Sequence, residues 1–154
     1  MAHRTEGSTT RLMNRLIRLE ATLCLVGVRI ALWLIPFRPL MDRLSQPVRG
    51  SHLSADQRLH AHQVVRRSIA VARRRLPFAT TCLHRAIAAH WMLRRRGVNT
   101  TLYYGVARTP ADGLTAHAWV QDGDVGVIGM RAMLQQRYKV VARYPEVVQR
   151  DAPS

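Results

Sequence analysis

Two stretches of this chain hold residue types that could carry out nucleophilic chemistry. "TTCLHRAIAAHWMLRRRG", residues 80–97, places Cys82 where a helix should begin. "TAHAWV", residues 115–120, places His117 on what reads as a strand. A cysteine in the first turn of a helix sits at the positive end of the helix dipole, beside backbone N–H groups without an intrahelical partner. Both favour thiolate over thiol, and the same N–H groups can hold the oxyanion formed when a thiolate attacks a carbonyl. A histidine within reach completes the minimum set, taking the thiol proton and returning it to the leaving group. Cys82 and His117 are therefore the candidate catalytic residues. Singly, each has a plainer reading, as a small buried thiol and a structural strand histidine. The order helix-cysteine, strand-histidine, then more sheet gives the pair its weight.

The remaining histidines form no comparable set. His60 and His62 are two apart on a helix and so point in different directions, while His84 and His90 are six apart, a poor match to one face. None has a Cys, Asp or Glu at ligand spacing, and no phosphate-cradling glycine loop is present, so neither a metal nor a cofactor is expected.

Helical elements must position Cys82. From Asn14 to Leu34, Leu16, Leu19, Leu23, Val26, Ile30 and Trp33 recur at spacings of three and four, which predicts a helix ended by Pro36 and Pro39. A linker, "SQPVRGSH", follows. Ser54 and Gln57 form a capping-box pair that opens a second helix, with Val65, Ile69, Ala72 and Leu76 as its apolar stripe and arginines opposite. Pro77 closes it. Thr80 or Thr81 caps the helix that carries Cys82; it runs to about Arg96 and stops at Gly97, with Arg94 to Arg96 in its last turn.

Strands must position His117. "NTTLYYGVA" (99–107) is β-branched and aromatic, "RTPADGL" is a loop, and "TAHAWVQ" and "VGVIGM" are strands joined by "DGD" at 122–124. "MLQQR" reads as a short helical turn and "RYKVVARYP" as a last strand. Alternation puts His117, Trp119 and Gln121 on one face, and Ala116, Ala118 and Val120 on the other, close to a helix. Helices first and an antiparallel sheet afterwards make an α+β fold. A polar tail (1–12), a helical segment with linker (13–53) and a core (54–150) form one domain.

The 154 residues carry a formal net charge of +15, and Lys139 is the only lysine beside 23 arginines. From Gln57 to Ala111 no acidic residue occurs. This middle third should carry a positive field suited to an acidic peptide, a partner protein, nucleic acid or an anionic membrane. Two cysteines, Cys24 and Cys82, make no disulfide framework, which points to a reducing, cytoplasmic setting. Arg29 interrupts the apolar run from Ala21 to Phe37, so peripheral contact through residues 14–40 is the expectation for any membrane role, rather than a span.

"CLHRAIAAHWMLRRRGVNTTLYYGV" followed by "AHAWV" resembles the transglutaminase-like cysteine peptidase, in its stand-alone form, that matures lasso peptides. The resemblance rests on Cys82 to Arg85, Leu93 to Gly97, Leu102 to Val106 and Ala116 to Val120, and extends over roughly residues 13–145. It implies a papain-like peptidase that removes the leader from a ribosomally made precursor. It also implies a separate leader-recognition protein and a lasso cyclase as partners, and no nucleic acid. The arginine-rich middle third would dock that protein or an acidic leader. Two alternatives are an acyl transferase of transglutaminase type on the same fold and a non-enzymatic basic protein binding nucleic acid or an anionic membrane.

The family carries an Asp about a dozen residues after the histidine, where this chain has Gly129 and Met130. Asp122 and Asp124 lie at the hairpin turn, about 17 Å or more along the strand from His117. The ring must then be held by a backbone carbonyl, an amide such as Gln135, or a loop acid such as Asp112.

Overall fold

A computed structural model describes residues 3–46, 48, 53–109, 113–130 and 137–145, with the side chains of residues 3–10 and 109 outside the description. Helix α1 spans His3–Leu34. It begins well before Asn14, so residues 3–12, expected as a polar tail, continue the helix. Once a helix is nucleated, each further residue adds a hydrogen bond for one more fixed backbone unit. Ala21, Cys24, Leu25 and Val28 are its buried side.

Pro36 ends α1 and caps α2, Phe37–Leu44, an element where only the approach to a linker is expected. Pro39 lies in its first turn, where the missing N–H breaks no helical bond. Helix α3, Ala55–Arg75, starts with the predicted reciprocal box: Gln57 N donates to Ser54 Oγ at 3.2 Å, and Ser54 N donates to Gln57 Oε1 at 2.9 Å. Val65, Ile69 and Ala72 are buried as the stripe requires, and Arg66, Arg67 and Arg73 to Arg75 are exposed.

Helix α4, Cys82–Arg95, runs through the centre of the core, with Ala86 to Ala89, Met92 and Leu93 buried. Removing a side chain the size of Ile87 or Leu93 from water stabilises the fold by about 2 kcal/mol. The helix ends as the sequence predicts. Gly97 takes φ 81°, its N–H reaches Arg94 O at 3.0 Å, and Val98 N–H reaches Leu93 O at 3.0 Å.

Four antiparallel strands follow: β1 (Thr101–Thr109), β2 (Gly113–Asp122), β3 (Val125–Ile128) and β4 (Lys139–Tyr144), in the order β3-β2-β1-β4. The fold is α+β. Leu102, Ala118, Val120, Val127 and Tyr144 join the helices in one apolar core. Ala116, expected beside Ala118 against a helix, is exposed, because the end of β2 nearer Gly113 carries little burial. The hairpin turn holds Gly123 at φ 57°. Most of "MLQQR" lies outside the described residues, as does the tip of the β1–β2 loop.

Polar groups cross-link the layers. His90, fully buried on α4, bridges Ser45 Oγ (3.0 Å from Nε2) and Thr100 Oγ1 (2.9 Å from Nδ1). Burial, and then the neighbouring Arg94 charge, push its pKa down to about 3, so it is a neutral core residue. Arg94 is buried one turn further on and donates to the main-chain oxygens of Ser45, Gln46 and Thr100. Arg96 pairs with Glu20 of α1, with Arg95 3.7 Å from the same carboxylate. Among the described residues no helix is long and apolar enough to cross a membrane.

Candidate active site

Cys82 is the first residue of α4 and half-buried. Thr81 is the N-cap: its Oγ1 accepts from His84 N at 3.3 Å, and His84 Nδ1 accepts from Thr81 N at 3.2 Å. The Thr81 hydroxyl is also 2.6 Å from Nδ1, where a bare imidazole nitrogen accepts its proton. Burial, followed by the Arg29 charge, lowers the His84 pKa, which keeps that nitrogen free to accept. A helix start has four unpartnered N–H groups. The box takes those of Thr81 and His84, so those of Cys82 and Leu83 are left over. Cys82 therefore stands at the positive end of the helix dipole, with these two donors on its own residue and the next.

Cys24 is the contrast. It is buried against α1's neighbours, and burial, reinforced by Glu20, pushes its thiol up to about 11. That is an inert side chain at neutral pH.

His117 lies on β2 opposite Gly105 of β1. Its Nε2 is 2.6 Å from the carbonyl oxygen of Gly129. A carbonyl can only accept, so Nε2 carries the proton, and the neutral ring has its lone pair on Nδ1. Aromatic rings hold the plane. Tyr138 lies 5.3 Å away, Trp119 6.1 Å away and nearly parallel, and Tyr103 stacks on Trp119 at 5.5 Å. Gly105 makes this layer fit, since a Cβ there would meet the Trp119 ring at 3.0 Å and Tyr138 Cβ at 3.1 Å.

Helix α4 packs against β2, which carries His117. No described contact joins the Cys82 and His117 side chains. Of the three expected ways to hold the imidazole, the described residues show the backbone carbonyl, that of Gly129. Gln135 and Asp112 lie outside the described residues. Asp122 is engaged elsewhere, with Oδ2 3.0 Å from His62 Nε2 and Oδ1 3.9 Å from Arg58. No group of three or more metal-ligating side chains occurs among the described residues.

Residues 22–143 match the profile of the transglutaminase-like superfamily. The chain belongs to that superfamily. No curated protein and no solved structure gave a match. The transglutaminase-like superfamily includes cysteine peptidases and acyl transferases, which share an acyl-thiol intermediate and differ in what accepts the acyl group. Cys82, His117 and the aromatic layer all fall within the matched span. Gly105 and Tyr138 are not among the residues the sequence singles out by chemistry, whereas Gly129 is the position where the sequence leaves a backbone carbonyl in place of an acid. The one signal is Gly105 itself, since an isolated glycine inside a strand marks a close approach.

Proposed function

We propose that this protein is a cysteine peptidase that removes the leader from a ribosomally made lasso-peptide precursor before the macrolactam closes. Cys82 is the nucleophile and His117 the base. The observation that carries the reading is the 2.6 Å contact of His117 Nε2 with Gly129 O: a carbonyl accepts, so Nε2–H is committed there and Nδ1 is the nitrogen left for a proton. In the proposed cycle Nδ1 removes the Cys82 proton as Sγ adds to the carbonyl carbon of the leader's last residue. The N–H groups of Cys82 and Leu83 hold the oxyanion. Collapse breaks the C–N bond, Nδ1–H protonates the departing amine, and water then hydrolyses the thioester with His117 again as base. A separate leader-recognition protein presents the precursor, and a cyclase takes the product.

The deciding experiment combines this protein with precursor and leader-recognition protein and follows cleavage by mass spectrometry. Cleavage is expected to stop in Cys82→Ala and to fall by a factor of about 10² to 10⁴ in His117→Ala. Cleavage that survives both refutes the mechanism. A primary amine in the same mixture separates hydrolysis from acyl transfer, because a transferase would attach the amine to the new carboxyl end.

A further inference from the structure

Helix α1 is apolar on two sides. Ala21, Cys24, Leu25 and Val28 pack into the core. Leu12, Leu16, Leu19, Leu23, Ile30 and Leu34, spaced by fours, one three and a seven, form a second stripe, and each is more than half exposed. At about 100° per residue this stripe lies roughly opposite the packed side. Trp33, 85% exposed, stands near its end. Single exposed leucines are ordinary on a protein surface, but a stripe of six running from residue 12 to residue 34 is not.

Two hollows adjoin the stripe, and Leu19 lines both. One, about 470 Å³, is mostly apolar and lies between Leu16, Leu19 and Leu23 of α1, Leu40 and Leu44 of α2, and Trp91 of α4, with the paired Glu20 and Arg95 also in its wall. The other, about 480 Å³, lies between α1 and α3 and is lined by Arg15, Arg18, Arg75 and Thr22, with no carboxylate among its lining residues. None of these three arginines makes an ion pair among the described residues. Arg11, Arg15, Arg18 and Arg29 follow one flank of the stripe by the same helical spacing.

We infer that this face docks on an anionic lipid bilayer, with α1 lying in the plane of the interface. The leucine stripe enters the acyl boundary, and phosphate headgroups enter the arginine hollow. A long helix with an apolar face, arginines beside it and a terminal tryptophan suits that interface. The charge selects this occupant over a second copy of the chain: two surfaces from molecules of net charge +15 would bring like-charged flanks together, whereas anionic headgroups neutralise them. The inference is independent of Cys82 and His117.

The test is co-sedimentation of the full-length protein with vesicles of phosphatidylcholine alone or with 30% phosphatidylglycerol, at low and high salt. Binding to the anionic vesicles, falling as salt rises, is expected, with at least about tenfold weaker binding to phosphatidylcholine alone. Arg15→Gln with Arg18→Gln should weaken it about thirtyfold, at roughly one surface charge each. Leu19→Ser with Leu23→Ser, both at exposed positions, should weaken it at least tenfold while far-UV circular dichroism stays unchanged. Absence of binding to the anionic vesicles overturns the inference. So does binding indifferent to the leucine substitutions, which would reduce the face to a basic surface. Stripe-dependent dimerisation without vesicle binding also overturns it, in favour of a second copy.

Discussion

Asp122 Oδ2 lies 3.0 Å from His62 Nε2, joining the end of β2 to helix α3. Asp122, the last residue of the strand that carries His117, therefore belongs to a structural pair. Asp122→Asn should lower the stability by about 1–2 kcal/mol, read as the midpoint of urea unfolding, and change precursor cleavage by less than about threefold. A hundredfold loss of cleavage in a folded variant would make Asp122 part of the catalytic machinery instead.

Gly129 can be tested in the same way. Its φ of 76° and the 2.6 Å separation between a Cβ and Ala118 O leave no room for a side chain. Gly129→Ala should cost about 1–3 kcal/mol and displace the carbonyl that orients His117, with at least a tenfold loss of single-turnover rate. Gly129→Asp, which places a carboxylate beside the His117 ring, should be as unstable and no faster. A stable, faster Asp variant would show that the strain is absent.

Thiol labelling needs no substrate. Iodoacetamide at neutral pH should modify Cys82 and spare Cys24, whose thiol is buried and pushed up to about 11. If His117 is the base of the proposed cycle, His117→Ala should slow Cys82 labelling at neutral pH at least severalfold. An unchanged rate would separate the two residues, and peptide mapping by mass spectrometry reads both results.

Acid should find His90. Its folded pKa of about 3 lies below the ordinary 6.5, so below pH 6.5 the unfolded chain binds a proton that the folded chain refuses. Stability from this site is complete above about pH 6.5 and is lost as pH falls toward 3, at up to about 1.4 kcal/mol per pH unit. His90→Gln should flatten that part of the stability–pH curve. A slope equal to that of the wild type would contradict the assignment.

The cap at Thr81 links stability to the site. Thr81→Ala removes the acceptor for His84 N and should cost about 1 kcal/mol by thermal unfolding. The same change frees His84 and should alter the labelling rate of Cys82, where a purely structural cap would leave it unmoved.

Local signals carried much of this structure. The Ser54–Gln57 box, the Thr81 cap, the Gly97 terminus and the Gly123 hairpin are written within a few residues each, and all four occur where the sequence puts them. The opening of α4 at Cys82 and the strand around His117 follow from the same kind of signal. Long-range polar pairing is what the sequence hides. His90 sits in "AIAAHWML" with nothing nearby to announce Ser45 or Thr100 as its partners. Arg94 reads as one of three arginines suited to a helix end, and only the packing of α2 turns it inward. Helix α2 itself was obscured by two prolines, which read as stop signals and instead occupy a cap and a first turn.

The orientation of His117 rests on an oxygen that belongs to the main chain. Such a group is encoded by no particular side chain, so no codon change can delete it; substitutions can only move it. It also has no proton to gain or lose between pH 3 and 10, so it adds no inflection of its own to a pH–rate profile. A catalogue of side chains would pass over this position entirely.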